Sequence, residues 1–275
     1  MLQRIYEWKH LRCNRVIEPV IRCHCVIEDS CFGLKAHTGI QGDFIKASTE
    51  YNRAEHFEPQ ILGMDDLKKI EMPVVSYDKA TTMQRFALMQ EIFDGVLTVK
   101  LHGKKYFRHV PWDDLLTWIG ITEGLYNFAL DPDFMHAAVD RYITFAISQV
   151  KQYEALGLLS SNNGFENVGN NGIGYTSQLS PPTESGIGAR LKDMWGSNAD
   201  QILTSVSPAM SEEFAMEYER KYADLFGLYS YGCCDRLDHK MAELRRNFAN
   251  LRKISVSPFA DLEHAMEEIG GDYVV

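Results

Sequence analysis

The sequence predicts an α/β chain built as a TIM-type (β/α)8 barrel that is incomplete, with strands missing at its N- and C-terminal ends. Three observations carry this expectation. Short apolar runs rich in β-branched residues end in small or polar residues, as strands buried on both faces do. Amphipathic segments with clear helix boundaries separate those runs, so parallel strands joined by right-handed crossovers are expected. No Gly-x-Gly-x-x-Gly turn opens a helix after a strand, which counts against a nucleotide-binding open sheet and against a nucleotide cofactor.

The elements follow in order. Val16 to Val26 alternates loosely and reads as an early strand. Thr81 to Phe93 is an amphipathic helix with Gly95 beyond it, and Val96 to Leu101 is a strand followed at once by His102-Gly103. Asp131-Pro132 supplies an N-cap and a proline at the first helical position. The helix then runs to about Ala155 on a stripe of Phe134, Ala138, Tyr142 or Ile143, Ala146 and Val150, and Gly157 stands where a left-handed terminator belongs. Gly157 to Ser160 is a strand entering Ser161-Asn162-Asn163-Gly164. Residues 165–192 form a long loop of Asn, Gly, Ser and Pro; following a strand, it belongs on the catalytic face of a barrel. Ser207-Pro208 opens a helix whose apolar positions include Phe214, Tyr218 and Leu225. Gly227 to Tyr231 is a strand running into Gly232-Cys233-Cys234-Asp235, and Lys253 to Ser257 is another. Ser257-Pro258 opens the last helix, Gly270 closes it, and Tyr273 to Val275 is a final strand.

About six strands are found where a closed barrel of this type needs eight. Residues 1–275 then read as one partial barrel domain. Its completion falls to another copy of the chain, as a homo-oligomer, or the chain is a piece of a longer protein, and the second is the expectation.

Bulk composition narrows the function classes. Hydrophobic residues make up 45% and charged residues 24% of the 275, enough for one sizeable core. A net charge of −10 argues against a nucleic-acid partner, which calls for a basic footprint. No apolar run is long enough to span a membrane, and Met1 to Asn14 lacks the apolar centre of a signal peptide, so a cytoplasmic location is expected. The six cysteines are Cys13, Cys23, Cys25, Cys31, Cys233 and Cys234; four cluster early and two are adjacent, which reads as reduced thiols and not as a spaced disulfide framework.

Three segments of the second half resemble the uroporphyrinogen decarboxylase superfamily. Ser207 to Phe214 resembles its Ser-Pro helix start, and Arg252 to Pro258 its next strand. Between them, Tyr231-Gly232-Cys233-Cys234-Asp235 stands where the family has a strand ending in His-x-Cys-Gly-Asn or His-x-Cys-Gly-Asp. The likeness covers Leu97 to Val275 and extends more weakly from Val16. Leu101-His102-Gly103, Asn162-Asn163, Asp193-Met194-Trp195 and the Tyr-Gly-Cys-Cys run look most like uncharacterised members grouped with corrinoid-dependent methyltransferases. The resemblance implies a (β/α)8 barrel with its site at the carboxyl ends of the strands. It implies one of two chemistries: cofactor-free decarboxylation of a tetrapyrrole-like carboxylate, or methyl transfer in which zinc activates a thiol and a separate corrinoid protein carries the cobalt. Cys233 matches the zinc-ligating Cys, Tyr231 replaces the His, and the family's arginine-rich decarboxylase signature has no counterpart here.

The candidate catalytic residues are therefore Cys233, Asp235, His102 and Tyr231, with Cys233 and Cys234 as metal ligands. Thiolates at a helix start are stabilised by its positive end, and zinc favours them; the plainer reading packs one thiol and lets Asp235 cap the helix. His102 directly follows a strand, where a barrel places ligands and proton donors, or it merely bonds a neighbouring loop. Asn162 and Asn163 offer both donors and acceptors to an uncharged part of a small-molecule substrate, or they cap their loop. Asp193, Trp195 and Gln201 are substrate-side candidates after the long loop, with Trp195 equally at home in a core. Tyr231 could bond a metal-bound water or simply fill a barrel interior. Cys23-His24-Cys25 looks like a ligand cluster, but on a strand its histidine faces away from its cysteines. Gly169 to Gly174 is glycine-rich without the Gly-Lys-Ser/Thr of a phosphate loop and reads as a flexible lid. His24, His37 and His109 read as structural or surface. Zinc-assisted methyl transfer leads; a truncated, non-catalytic family member is the alternative, and a cofactor-free decarboxylase, which would need Arg108, Arg190 or Arg236 to bind an anion, is the third reading.

Overall fold

A computed structural model describes residues 2–11, 16–35, 38–39, 56–169 and 172–275. Helix α1 (Leu2–His10) is followed by strands β1 (Val20–His24) and β2 (Val26–Asp29), then the two-residue strands β3 (Thr38–Gly39) and β4 (His56–Phe57). Strand β5 (Val75–Asp78), helix α2 (Lys79–Phe93) and strand β6 (Thr98–His102) come next. Three consecutive helices, α3 (Pro111–Ile119), α4 (Ile121–Leu130) and α5 (Pro132–Ala155), occupy the middle of the chain. Strand β7 (Trp195–Asn198) leads through α6 (Pro208–Ser211), a π turn (Glu212–Met216) and α7 (Glu217–Ala223) to β8 (Leu228–Tyr231). Helix α8 (Met241–Asn247), strand β9 (Leu251–Ile254) and helix α9 (Leu262–Ile269) complete the order.

The closed barrel is not formed. Among the described residues the strands fall into separate sheets: β1 with β6, β2 with β5, β3 with β4, and β7–β8–β9. The β1–β6 pair and the β7–β8–β9 sheet are parallel and follow chain order, but β2 and β5 pair antiparallel, a register no all-parallel barrel contains. Between β6 and β7 the ladder thins to one parallel bridge, Lys104 to Leu159, after which side chains take over from backbone. At the far edge Val274 bridges Lys253, and no pairing among the described residues joins that edge to β1. Strands of four or five residues are too short and too interrupted for a continuous ring of ladder bonds.

Local boundary chemistry is obeyed more closely than topology. The Asp131 carboxylate accepts from the Phe134 N–H at 3.3 Å, Pro132 takes the first helical position, and Gly157 terminates α5 at φ +67°. Ser207 caps α6 by accepting from the Met210 N–H. The last helix departs from expectation: residues 258–260 form a turn, and α9 starts four residues later under an Asp261 cap. Strand β7 and helices α3 and α4 are additional to the elements expected. Trp-Gly-Ser-Asn has none of the β-branched character that marks a strand, and it is a strand because both neighbours hold it.

One apolar cluster runs from Ile61 to Ile269, with Trp112, Phe134, Tyr142, Tyr222 and Tyr229 at its centre. Helices α3, α5 and α7 pack there against the β7–β8–β9 sheet. A β-bulge between Tyr229 and Ser230 shifts the β8–β9 register beside the carboxyl end of the sheet. Gly196, on β7, is packed against two aromatic rings. A Cβ there would meet the Tyr229 ring at 2.4 Å and the Phe226 ring at 2.7 Å. Gly196→Ala is expected to lower unfolding free energy by about 1–3 kcal/mol through overpacking, read as a lower urea midpoint at unchanged m-value.

Candidate functional site

The carboxyl ends of β7 and β8 open onto a cavity of about 270 Å³. One wall is Tyr106 to Val110, the segment between β6 and α3; the other is Ser197 to Ala199 with Ser230 and Gly232. His109 is buried and its ring stacks on Tyr222 with centroids 3.7 Å apart, while its Nε2 finds no hydrogen-bond partner. Burial pushes its pKa down to about 3, so the imidazole is neutral. Asn198 is also buried, and neither its amide nitrogen nor its amide oxygen is bonded. Unmet buried polar atoms cost about 1–3 kcal/mol each, so a cavity edged by two such side chains is built to receive polar groups.

Two helix starts position these walls, and each caps the other. Asp200, just after β7, accepts from the Trp112 N–H at 3.2 Å in the first turn of α3. Asp113, in that same turn, accepts from the Ile202 N–H at 3.1 Å in the one-turn helix that Asp200 begins. Both carboxylates are close enough to repel. Burial, then Asp200, raises Asp113 to about 6, and burial and Glu219 raise Asp200 well above the carboxylate range. Glu219, fully buried on α7, is the anionic member of that inner pair. Burial pushes its pKa up, but Asp200, Asn198, Tyr231 and Lys240 all favour its carboxylate. Two apposed buried carboxyls do not both ionise, so Asp200 and Glu219 share a proton. Asn198 stands near enough to Glu219 to favour its anion, yet outside hydrogen-bond geometry.

Arg108 sits on the cavity wall, ion-paired to Asp114, whose second oxygen accepts from the Tyr142 hydroxyl at 2.7 Å. Of the three arginines considered for anion binding, this one lines the cavity. Arg190 pairs with Asp193 and Arg236 with Asp238, both outside its lining.

The expected site residues separate into three groups. Tyr231, Cys233, Cys234 and Asp235 lie beside the cavity but in other roles. The Tyr231 hydroxyl donates to Glu219 at 3.2 Å and its ring packs on Phe248. The buried Asp235 accepts from Lys240 Nζ at 2.9 Å, and that ammonium also donates to the Leu203 carbonyl, so Asp235 is an ion-pair partner and not a helix cap. Cys233 is half-buried and Cys234 exposed, with Sγ atoms 3.6 Å apart. Gly232 turns the chain at φ +108°, and α8 begins only at Met241, so neither thiol stands at a helix start. Burial, reinforced by Cys234, raises the Cys233 thiol instead of activating it.

Asn162, Asn163, Asp193 and Trp195 are structural. Asn162 stands in for the missing ladder: its Nδ2 donates to the Trp195 carbonyl at 2.8 Å and its Oδ1 accepts from the Trp195 N–H at 2.9 Å. Asn163 ties down the long loop through Thr176, Leu179 and Ser180. Trp195 is buried and donates its indole N–H to the Gly174 carbonyl. Asp193 accepts from Ser180 and Arg190. Gln201 is half-buried beside Asp200 and does not line the cavity. The third group is His102 alone. It ends β6 with its ring edge-on to His24 at 4.7 Å and lines a different cavity. Of the histidines set aside, His109 is the one the site uses, His24 faces that second cavity, and His37 lies outside the described residues, as do Asn170 and Asn171 of the glycine-rich segment.

Among the described residues no group of three His, Cys, Asp or Glu side chains is placed to hold a metal. Two adjacent thiols do not make a zinc site, which takes three or four protein ligands. No protein-family model matches this chain, and no curated protein matches it. No helix among the described residues is long and apolar enough to cross a membrane.

Asp113 has a measurable signature. Between its ordinary value of 3.8 and about 6, the folded state keeps a proton that the unfolded chain has released. Stability therefore falls as pH rises through that window, and the loss is complete above it. Asp113→Asn keeps an oxygen for the Ile202 N–H and removes the charge. Its urea midpoint is expected above that of the parent at pH 7.5, with the gap narrowing at pH 4.5.

Proposed function

We propose that this chain is an enzyme that decarboxylates a small carboxylate by proton transfer, without a cofactor, in the cavity at the ends of β7 and β8. One observation carries the reading: a cationic side chain and neutral buried hydrogen-bonding groups line a cavity whose Tyr106–Val110 wall leads directly into the helix start that carries Asp113, a carboxyl that stays protonated to about pH 6. Such a pKa is what a general acid working near neutral pH needs. Arg108 receives the carboxylate, and the neutral His109 and Asn198 orient the rest of the substrate. The bond to the carboxyl carbon breaks, carbon dioxide leaves, and the electron pair passes into a carbonyl or aromatic ring of the substrate conjugated with the α-carbon, the acceptor a cofactor-free route requires. The α-carbon takes its proton from Asp113, which water reprotonates. The Asp200–Glu219 pair behind it keeps negative charge near Asp113 and so keeps its acid form populated.

Of the two chemistries carried by the superfamily that the second half resembles, this favours the cofactor-free one. Methyl transfer through zinc and a corrinoid partner protein rests on the Cys233–Cys234 proximity, and the donor set does not support it. The test is release of carbon dioxide from a panel of small aliphatic and aromatic monocarboxylates in D2O. At least one substrate is expected to yield product carrying a single deuterium at the former carboxyl position. Asp113→Asn is expected to reduce kcat by about 10²–10⁴-fold, and Arg108→Gln to raise KM. Activity untouched by Asp113→Asn, or lost in Cys233→Ser and restored by zinc, overturns the reading.

A further inference from the structure

A second and larger cavity, about 620 Å³, lies between α1 and the β1–β6 pair, on different elements from the site above. Its volume falls in the range of small-molecule sites. Its lining changes character along the strands. At their amino ends are Ile17, Val20, Val96 and Leu97, and Trp8 of α1 joins the lining. Trp8 and Val96 are 67% and 71% exposed, large apolar surface with nothing among the described residues set against it. At the carboxyl ends are Arg22, His24 and His102. Val20, Arg22 and His24 alternate onto one face of β1, and His24 is in register with His102 across the pair. At about 3.3 Å per residue, Val20 and His24 are roughly 13 Å apart, so the cavity is an apolar trough with a polar end.

The polar end carries surplus positive charge. Arg22 pairs with Glu166, and the same carboxylate takes Lys105 Nζ at 2.9 Å, so two cations share one anion. The edge-on imidazoles of His24 and His102 add N–H donors. Burial lowers His102 to about 4, and His24, Lys105 and Arg22 beside it add to the shift. The one acidic lining residue, Glu18, is exposed at the opposite, apolar end, where it repels an anion and so disfavours the reversed orientation.

We infer that this trough binds an amphipathic monocarboxylate, its aliphatic chain along Ile17, Val20 and Val96 and its carboxylate at Arg22, His24 and His102. Two features point to a free acid in preference to a second copy of the chain or a bilayer. The cations and imidazole donors gather at one end of an apolar path, and the acidic Glu18 stands at the other.

The probe is decanoate below its aggregation concentration, with decanol as the uncharged control, each titrated calorimetrically into the full chain. One decanoate per chain is expected, bound at least about tenfold more tightly than decanol, the discrimination one charge-assisted hydrogen bond supplies. Arg22→Gln is expected to remove that preference and leave decanol affinity unchanged. Should Arg22→Gln not fold, Lys105→Gln, which leaves Glu166 free to neutralise Arg22, is expected to weaken decanoate alone. Val96→Trp, at an exposed position, fills the trough and is expected to abolish binding of both. Equal affinity for decanoate and decanol overturns the inference, as does uptake that Val96→Trp leaves unchanged. So does a dimer in sedimentation that Val96→Asp dissolves, or binding to phosphatidylcholine vesicles with none to free decanoate.

Discussion

The reciprocal cap between Asp200 and α3 is the constraint on which the rest of the site depends. A helix start exposes unpaired N–H groups, and a carboxylate there is stabilised both by hydrogen bonding and by the helix dipole. Here each of two helix starts supplies the other's carboxylate, Asp200 to Trp112 and Asp113 to Ile202. The segments immediately before those starts, Tyr106 to Val110 and Ser197 to Ala199, are therefore held face to face, and the space between them is the cavity. A cap that is also an electrostatic neighbour has a further effect. Burial at that cap raises the Asp113 pKa, and the neighbouring Asp200 adds to the rise, so the contact that satisfies the helices also sets the protonation of Asp113.

The same economy explains how β7 is kept in place without a full ladder. Asn162 bonds both the N–H and the C=O of Trp195, the pair of groups a neighbouring strand would have met. An amide side chain is the one side chain that presents a donor and an acceptor in the spacing of a peptide group. Trp195 then donates its indole N–H to Gly174, and Asn163 gathers three carbonyls of the same loop. Residues that looked like substrate binders are spent on holding a broken sheet together. Little is left over for a ligand.

Local signals in the sequence were legible and long-range ones were not. The Asp131-Pro132 start and Gly157 stop of α5 depend on a few adjacent residues, and both stand as read. The ends of β8 and the neighbourhood of the Cys233 turn were legible for the same reason. Barrel closure depends on pairings between distant strands, and the antiparallel β2–β5 pair and the side-chain bridge at Asn162 leave no periodic trace. Helix α7 shows how a site hides. The inward positions through α7 and its flanks are Ala215, Glu219, Tyr222 and Phe226, and a glutamate among them makes Tyr218 and Leu225 look like the inward positions instead. Signals for α3 were present in Pro111 at the helix start and in Asp113-Asp114 in the first turn. They mark a helix start, and nothing in them says that Asp113 meets Asp200.

Three buried carboxyls, Asp200, Glu219 and Asp235, gather with Lys240, and Asp113 stands at their edge; the group makes sense only if they are not all charged. Lys240 is fully buried and pairs directly with Asp235 at 2.9 Å, which satisfies one anion. Glu219 draws on the same ammonium at longer range and on the Tyr231 hydroxyl, which supports a second. Asp200 has no cation of its own and keeps its proton, and Asp113, half-exposed at the edge of the group, is the member whose charge state changes near neutral pH. The order of burial is thus the order of commitment: the innermost groups are locked as ion pair and acid, and the outermost one stays free to exchange. In the proposed reaction the proton leaves from Asp113, since behind it Asp235 is tied to Lys240 and Asp200 and Glu219 face each other.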